Sequence, residues 1–243
     1  SDTVHFSVKS IARQEKVAQT FTNGKGCDVM HPVEGVKQCH QALTSLVQEI
    51  GIPERLIVDN HKSQGALETR DTDWGKLLKE YHIRQTWIQP HCWWQNVAER
   101  VIGEVRRDMR SLKAAKQSPN RLWAYLAQFA CGRRQRTASV IPAAMGRTGF
   151  EMVHGCTPDI SLHLVHEWCD FIWWFDLQDK CEKLGRWLGP CGAQFGGGDC
   201  HFVLADSAKE HITNTTRSLS VKDWNDQNIV NALPHMDKSI RDK

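Results

Sequence analysis

Three carboxylates stand where carboxylates can share a metal ion. Asp59 closes a short apolar run, L-I-V-D-N at 56–60, and Glu99 opens a long helical stretch just after Q-P-H-C-W-W-Q-N. Asp2 stands at the head of an alternating segment, V-H-F-S-V at 4–8, that reads as a strand. A carboxylate just past the C-terminal end of a strand sits at the mouth of an α/β sheet, where sites are commonly built. With strand 56–58 beside strand 4–8, Asp2 and Asp59 become neighbours, and a helix from Gln95 lowers Glu99 onto the same spot. Converging carboxylates resist joint ionisation unless a cation neutralises them. Hard divalent ions such as Mg²⁺ or Mn²⁺ take carboxylate oxygens and keep open positions for phosphate. Two such ions about 3.5–4 Å apart would clamp the attacking and leaving oxygens of an in-line phosphoryl displacement. No protein nucleophile is then needed, and no Ser-His-Asp or Cys-His pattern stands out.

Each acid also has a plainer reading. Glu99 suits a first helical turn because of the helix dipole; Asp59 suits a turn or a cap, and Asp2 a loose terminus. The helix that follows Glu99 speaks for the combination. At 100° per residue, Arg106, Arg110 and Lys113 fall within about 40° of Glu99. Ala98, Val101, Val105, Met109 and Leu112 form a separate apolar stripe. One face therefore docks, and an adjoining face presents an acid followed by a row of cations, which suits a nucleic-acid backbone. Charge is distributed accordingly. Residues 1–134 hold 20 Lys/Arg against 14 Asp/Glu, whereas residues 135–243 hold 11 against 14. The first segment is the one suited to a polyanion. The ten bases and three acids of residues 97–136 also read as a solvated helix face.

The elements that must position these residues follow from periodicity. Strands are expected at 4–8, 17–22 and 27–33, with N-G-K-G as the second hairpin turn. A helix follows over 36–50, stopped by Gly51 and Pro53. A strand at 56–58, a helix over 74–81, a strand at 84–88 and helices over 95–116 and 121–131 complete the series. This element order is that of an RNase H-like α/β layer, a mixed sheet with flanking helices. The texture then changes to short strands at 168–175, 186–190, 200–204 and 212–216, punctuated by glycines, as in a small barrel-like β module. The expected division is a catalytic core over 1–137, a helical connector over 138–165, a β-rich module over 166–225 and a polar, frayed tail over 226–243.

Composition excludes several classes. Nine cysteines, an odd number with no C-x-x-C pair, argue against a disulfide framework and a zinc finger. No apolar run approaches the roughly 20 residues that span a bilayer. No signal-peptide pattern is present, and the chain reads as intracellular.

The segments S-D-T at 1–3, L-I-V-D-N at 56–60 and W-Q-N-V-A-E at 94–99 together resemble the D-D-E integrase core of LTR retrotransposons, the copia type above all. Further matches are G-I-P at 51–53, a G-x-T-x-x-E pattern closing on G-x-T-P-D over 146–159, and G-R-W-L-G at 185–189. The resemblance covers about residues 1–220. It implies that Asp2, Asp59 and Glu99 are ligands of two Mg²⁺ or Mn²⁺ ions, and that Gln95 and Asn96 contact DNA or support the site. It implies 3′-end processing and strand transfer of element DNA into target DNA, by a homo-oligomer released from a larger polyprotein. Its setting would be a cytoplasmic particle and then the nucleus, with no membrane partner. The sequence departs from the family in a longer spacer between Asp59 and Glu99, in Cys92-Trp93 where Ser-Pro is usual, and in lacking the upstream His/Cys zinc module. Two rivals stand beside this reading: a metal nuclease of the same fold, and a non-catalytic DNA-binding or assembly module of the kind a decayed copy would leave.

Overall fold

The computed structural model describes residues 1–11, 14–59, 72–89, 96–140, 142–191 and 200–242. The fold is mixed α/β, and contacts divide the chain into two units. The first comprises Ser1–Lys9, Gln14–Asp108 and Ala130–Pro158; the second comprises Ser10–Arg13, Met109–Phe129 and Asp159–Lys243.

In the first unit, β1 (Asp2–His5), β2 (Val17–Thr22) and β3 (Asp28–Val33) form an antiparallel meander in the order β1-β2-β3. The first strand starts and ends earlier than the 4–8 expected, so Asp2 lies inside the ladder, opposite Thr20. The N-G-K-G turn forms as expected. Asn23 Oδ1 accepts from the amides of Lys25 and Cys27 at 2.8 and 3.1 Å. Gly24 and Gly26 take the positive φ that this turn demands. A 3-10 turn then leads into α1 (Cys39–Glu49), whose Cys39, Ala42, Leu43 and Leu46 are buried. β4 (Arg55–Val58), α2 (Asp73–Glu80) and β5 (Arg84–Trp87) follow, with β4 and β5 paired in parallel. The helices α3 (Val97–Lys116) and α4 (Trp123–Arg136), each divided between the two units, complete the expected order of strands and helices. The core joins Val17, Phe21, Val29 and Val33 from the meander to Leu43, Leu46, Leu56, Val58, Trp74 and Ile83. Trp74 stacks on Phe21 at 6.4 Å and donates its indole N–H to Gln85 Oε1 at 3.0 Å. Burying each such side chain stabilises the unit by about 1.5–3 kcal/mol.

The end of α4 is fastened by charge. Arg134 reaches the buried Asp28 at 3.4 Å and Asp108 at 3.2 Å, and also pairs with Glu104. Asp28 accepts in addition from Thr22 Oγ1 at 2.6 Å, and its carbonyl accepts from Gln135 Nε2 at 2.7 Å. Further along, α5 (Gly149–His154) starts on a reciprocal cap between Thr148 and Glu151. Gly149 lies so close to the hairpin that a Cβ there would meet the Gly26 carbonyl oxygen at 2.1 Å. The T-x-x-E match at 148–151 thus has a structural use in this chain.

Two buried ionisable groups meet under α1. His31 Nε2 lies 3.8 Å from Glu49 Oε2. The distance is that of an ion pair, but burial works against one. It lowers His31 to about 4 and raises Glu49 to about 7, so near neutrality the imidazole is uncharged. Between those values the folded pair binds one proton. Unfolded, with the ordinary values of 6.5 and 4.5, it also binds one proton over most of that range. The counts match, so the pair adds little slope to stability between about pH 4.5 and 6.5. Glu49→Gln is expected to unmask His31. Its folded value is depressed, so stability falls as pH falls from 6.5 toward 4, by about 2 kcal/mol at pH 4.5. Urea unfolding at pH 6.5 and 4.5 reads this, and a variant as flat as the parent would refute the assignment. The buried thiols behave in the same sense. Burial pushes Cys39 up to about 11 and Cys27 up to about 12, so both serve as small apolar core residues.

The second unit contains α6 (Ser161–Leu164), β6 (Phe171–Asp176), β7 (Cys181–Pro190), β8 (His201–Ala205), β9 (Glu210–Thr213) and β10 (Thr216–Ser218), followed by α7 (Val221–Asn225) and α8 (Gln227–Asp242). The strands form one antiparallel sheet in the order β10-β6-β7-β8-β9. A barrel-like module is expected from the sequence, but no closed barrel is found: among the described residues β9 and β10 do not pair. The sheet is nevertheless curled. Its two edge strands are consecutive in the chain, joined only by Asn214 and Thr215. The link lies against β6, where the Phe175 amide donates to the Thr215 carbonyl at 3.2 Å. Trp168 and Trp187 are fully buried here, with Phe129 packed at 5.6 and 5.5 Å from their rings. The segment expected as a frayed polar tail is the helix α8. Leu233, Met236 and Ile240 recur at helical spacing and are buried, and Asp237 receives the Arg186 guanidinium through two oxygens at 2.7 and 2.6 Å.

Candidate active site

Asp2 is fixed by the first two residues of the meander. Its Oδ1 accepts from the Thr3 amide at 2.7 Å, and Thr3 Oγ1 in turn donates to Gln19 on β2 at 2.8 Å. Asp59 follows Val58, the last residue of β4, and is exposed. The ladder expected between the first strand and 56–58 is replaced by a single link: the Ser1 amino group donates to the Ile57 carbonyl. Burial lowers the Ser1 amine to about 6, and the charges of Asp2 and Asp59 both act on it in the opposite sense.

Glu99 lies in the first turn of α3, exposed. The connection to Asp2 runs through Asn96, the residue before the helix. Asn96 Oδ1 accepts from the Glu99 amide at 3.2 Å, as an N-cap does. Its Nδ2 donates to Asp2 Oδ2 at 3.0 Å. A helix start is thereby tied to a strand 94 residues away in sequence. Sequence reasoning placed the helix start at Gln95 and missed this cap, although Asn followed three residues later by Glu is a readable signal. Gln95 itself lies outside the described residues.

The structure ties Asp2 to the turn that carries Glu99, and joins Ser1 to the strand that precedes Asp59. It does not gather all three carboxylates. Among the described residues, no group of three His, Cys, Asp or Glu side chains is assembled to hold a metal ion. The donor set itself, oxygen throughout, fits a hard divalent ion.

The stripe of α3 is buried at Ala98, Val101, Val105 and Met109, with Ile102 beside it. Arg106 and Arg110 are exposed and Lys113 is half-buried. The Arg106 guanidinium reaches the His5 carbonyl at 3.5 Å, so the basic row starts beside the strand that carries Asp2. Arg134, which sequence reasoning counted among the bases of this region, is instead consumed internally. It neutralises Glu104 and Asp108, which lie on the opposite side of α3 from Glu99. Lys116 is likewise engaged, by Asp170 at 2.8 Å and Glu167 at 2.5 Å. Arg106, Arg110 and Lys113 lie on the Glu99 side of the helix.

No protein-family model and no curated protein matches the chain. Among solved structures, it is similar to a chain of the simian T-cell lymphotropic virus intasome, with 12% identity over 90% of this chain and 77% of that one and a TM-score of 0.48. It is similar to the HTLV-2 integrase catalytic core domain in complex with magnesium, with 14% identity over 63% of this chain and 93% of that one and a TM-score of 0.45. It is also similar to the BIV integrase catalytic core domain, with 18% identity over 63% of this chain and 91% of that one and a TM-score of 0.43.

Proposed function

We propose that this chain is the RNase H-like catalytic region of a copia-type retrotransposon integrase, carrying out metal-dependent phosphodiester transfer. The observation that carries the proposal is the tie through Asn96 of Asp2 to the helical turn of Glu99. Asp2, Asp59 and Glu99 would hold two Mg²⁺ or Mn²⁺ ions. When bound, such ions activate an attacking hydroxyl and stabilise the leaving oxygen. The protein's own part is to fix the Asp2 oxygens through Thr3 and Asn96, and to lead the DNA backbone in along Arg106, Arg110 and Lys113. The substrates would be element ends and target DNA, handled by a homo-oligomer released from a polyprotein, in a cytoplasmic particle and then in the nucleus.

The test is strand transfer, or its reversal on a branched oligonucleotide, with Mg²⁺ or Mn²⁺. Joined or resolved products support the reading. Cleavage without joining favours the nuclease, and DNA binding without chemistry favours the non-catalytic module. The basic row has its own test. DNA affinity is expected to fall steeply with salt, and Arg106→Ala with Arg110→Ala should reduce the log–log salt slope by about 2, about 1 per phosphate contact. Filter binding at several salt concentrations measures this; an unchanged slope would make the row a solvated face.

A further inference from the structure

We infer that Asn96 is a positioning residue for the metal ligands; this rests on the metal-dependent reading above. Both ends of its amide are taken by protein, Oδ1 by the Glu99 amide and Nδ2 by Asp2 Oδ2. The two bonds need opposite polarity at one side chain, an acceptor for the helix and a donor for the carboxylate. Asn supplies both. Asp2 offers about four lone-pair sites, and Thr3 and Asn96 occupy one on each oxygen. The carboxylate is thereby held in one rotamer with acceptor capacity left for an ion. Glu99 is held through the same residue, because the cap sets where the first turn of α3 begins. Asn96 therefore fixes the spacing between a strand-borne ligand and a helix-borne one. Groups that orient metal ligands in this way typically contribute about 10–100-fold to metal affinity or activity.

Capping and positioning can be separated chemically. Ser and Asp both cap helices well. Ser is too short to reach Asp2, and Asp would set a carboxylate oxygen where the Nδ2 donor was. Ala loses both functions. The experiment is Mn²⁺ titration followed by electron paramagnetic resonance, with thermal melting in parallel, on the full 243-residue chain. The parent, Asn96→Ser, Asn96→Asp, Asn96→Ala and Asp59→Asn are compared. Expected for Asn96→Ser is Mn²⁺ binding weakened about 10–100-fold, and for both Asn96→Ser and Asn96→Asp a melting midpoint within about 2 °C of the parent. Asn96→Ala should lose the same affinity and about 2–4 °C as well. Parental Mn²⁺ affinity in Asn96→Ser, alongside weakened binding in Asp59→Asn, would overturn the role of Asn96 alone and leave it a helix cap. A parent chain that binds no Mn²⁺, or an Asp59→Asn variant that binds it normally, would overturn the metal reading and this inference with it.

Discussion

Asp59→Asn is expected to lower the rate of phosphodiester transfer by at least about 10²-fold while leaving the fold intact. The size follows from what the carboxylate does. Stabilising groups aimed at a reacting centre are each worth about 10²–10³ in rate, and an amide in place of a charged ligand loses the neutralisation as well as one oxygen. The intact fold follows from position. Asp59 is exposed beyond the end of β4, whose Leu56 and Val58 supply the core contacts. The substitution nearly conserves volume, so stability should change by no more than about 0.5 kcal/mol. Initial rates on a branched oligonucleotide, with circular dichroism melting, separate the two effects. An undiminished rate would refute the assignment of Asp59.

Arg134→Met is expected to destabilise the protein by about 3–5 kcal/mol. Methionine keeps much of the stem's volume but leaves the carboxylate of Asp28 buried without its cation. Removing one member of a buried pair costs that much because the other charge stays desolvated. The cost of the ion pair itself points to a second variant. With Asp28→Asn added, the stranded charge is gone, so the double variant should recover at least about half of the loss. Asn can still accept from Thr22 Oγ1, as Asp28 does at 2.6 Å. Urea unfolding of the two single variants and the double variant closes the cycle. A double variant no more stable than Arg134→Met would show that the loss comes from packing, not from charge.

What could be read from the residues alone depended on the range of the forces involved. The alternation of 17–22 and the N-G-K-G turn are local signals, and the strand and hairpin lie where they point. The stripe of α3 was legible because burial repeats every three to four residues. Distance in sequence hid the rest. Arg134 finds Asp28 across 106 residues and Asn96 finds Asp2 across 94, and no periodicity announces either pair. The helix α8 was masked by composition. Its three buried side chains stand among polar residues, and Pro234 within it is ordinarily a stop signal. For the candidate site, the elements that carry the three acids were legible. The two hydrogen bonds of Asn96 were not, because they depend on polarity at both ends of one side chain.

The two-residue link between β9 and β10 has a bearing on association. An exposed sheet edge is a template on which another extended chain can add, and long flat edges invite aggregation. In this sheet both edges are short, Glu210–Thr213 on one side and Thr216–Ser218 on the other. The link holds them at neighbouring points of one curled surface. Part of the free hydrogen-bonding capacity beside them is taken within the unit. The Thr215 carbonyl accepts from Phe175, and the hydroxyls of Thr216 and Ser218 meet the two ring nitrogens of His166 at 2.9 and 3.1 Å. A sheet that stops short of closing thus keeps much of the protection that closure would give against strand addition by a stranger.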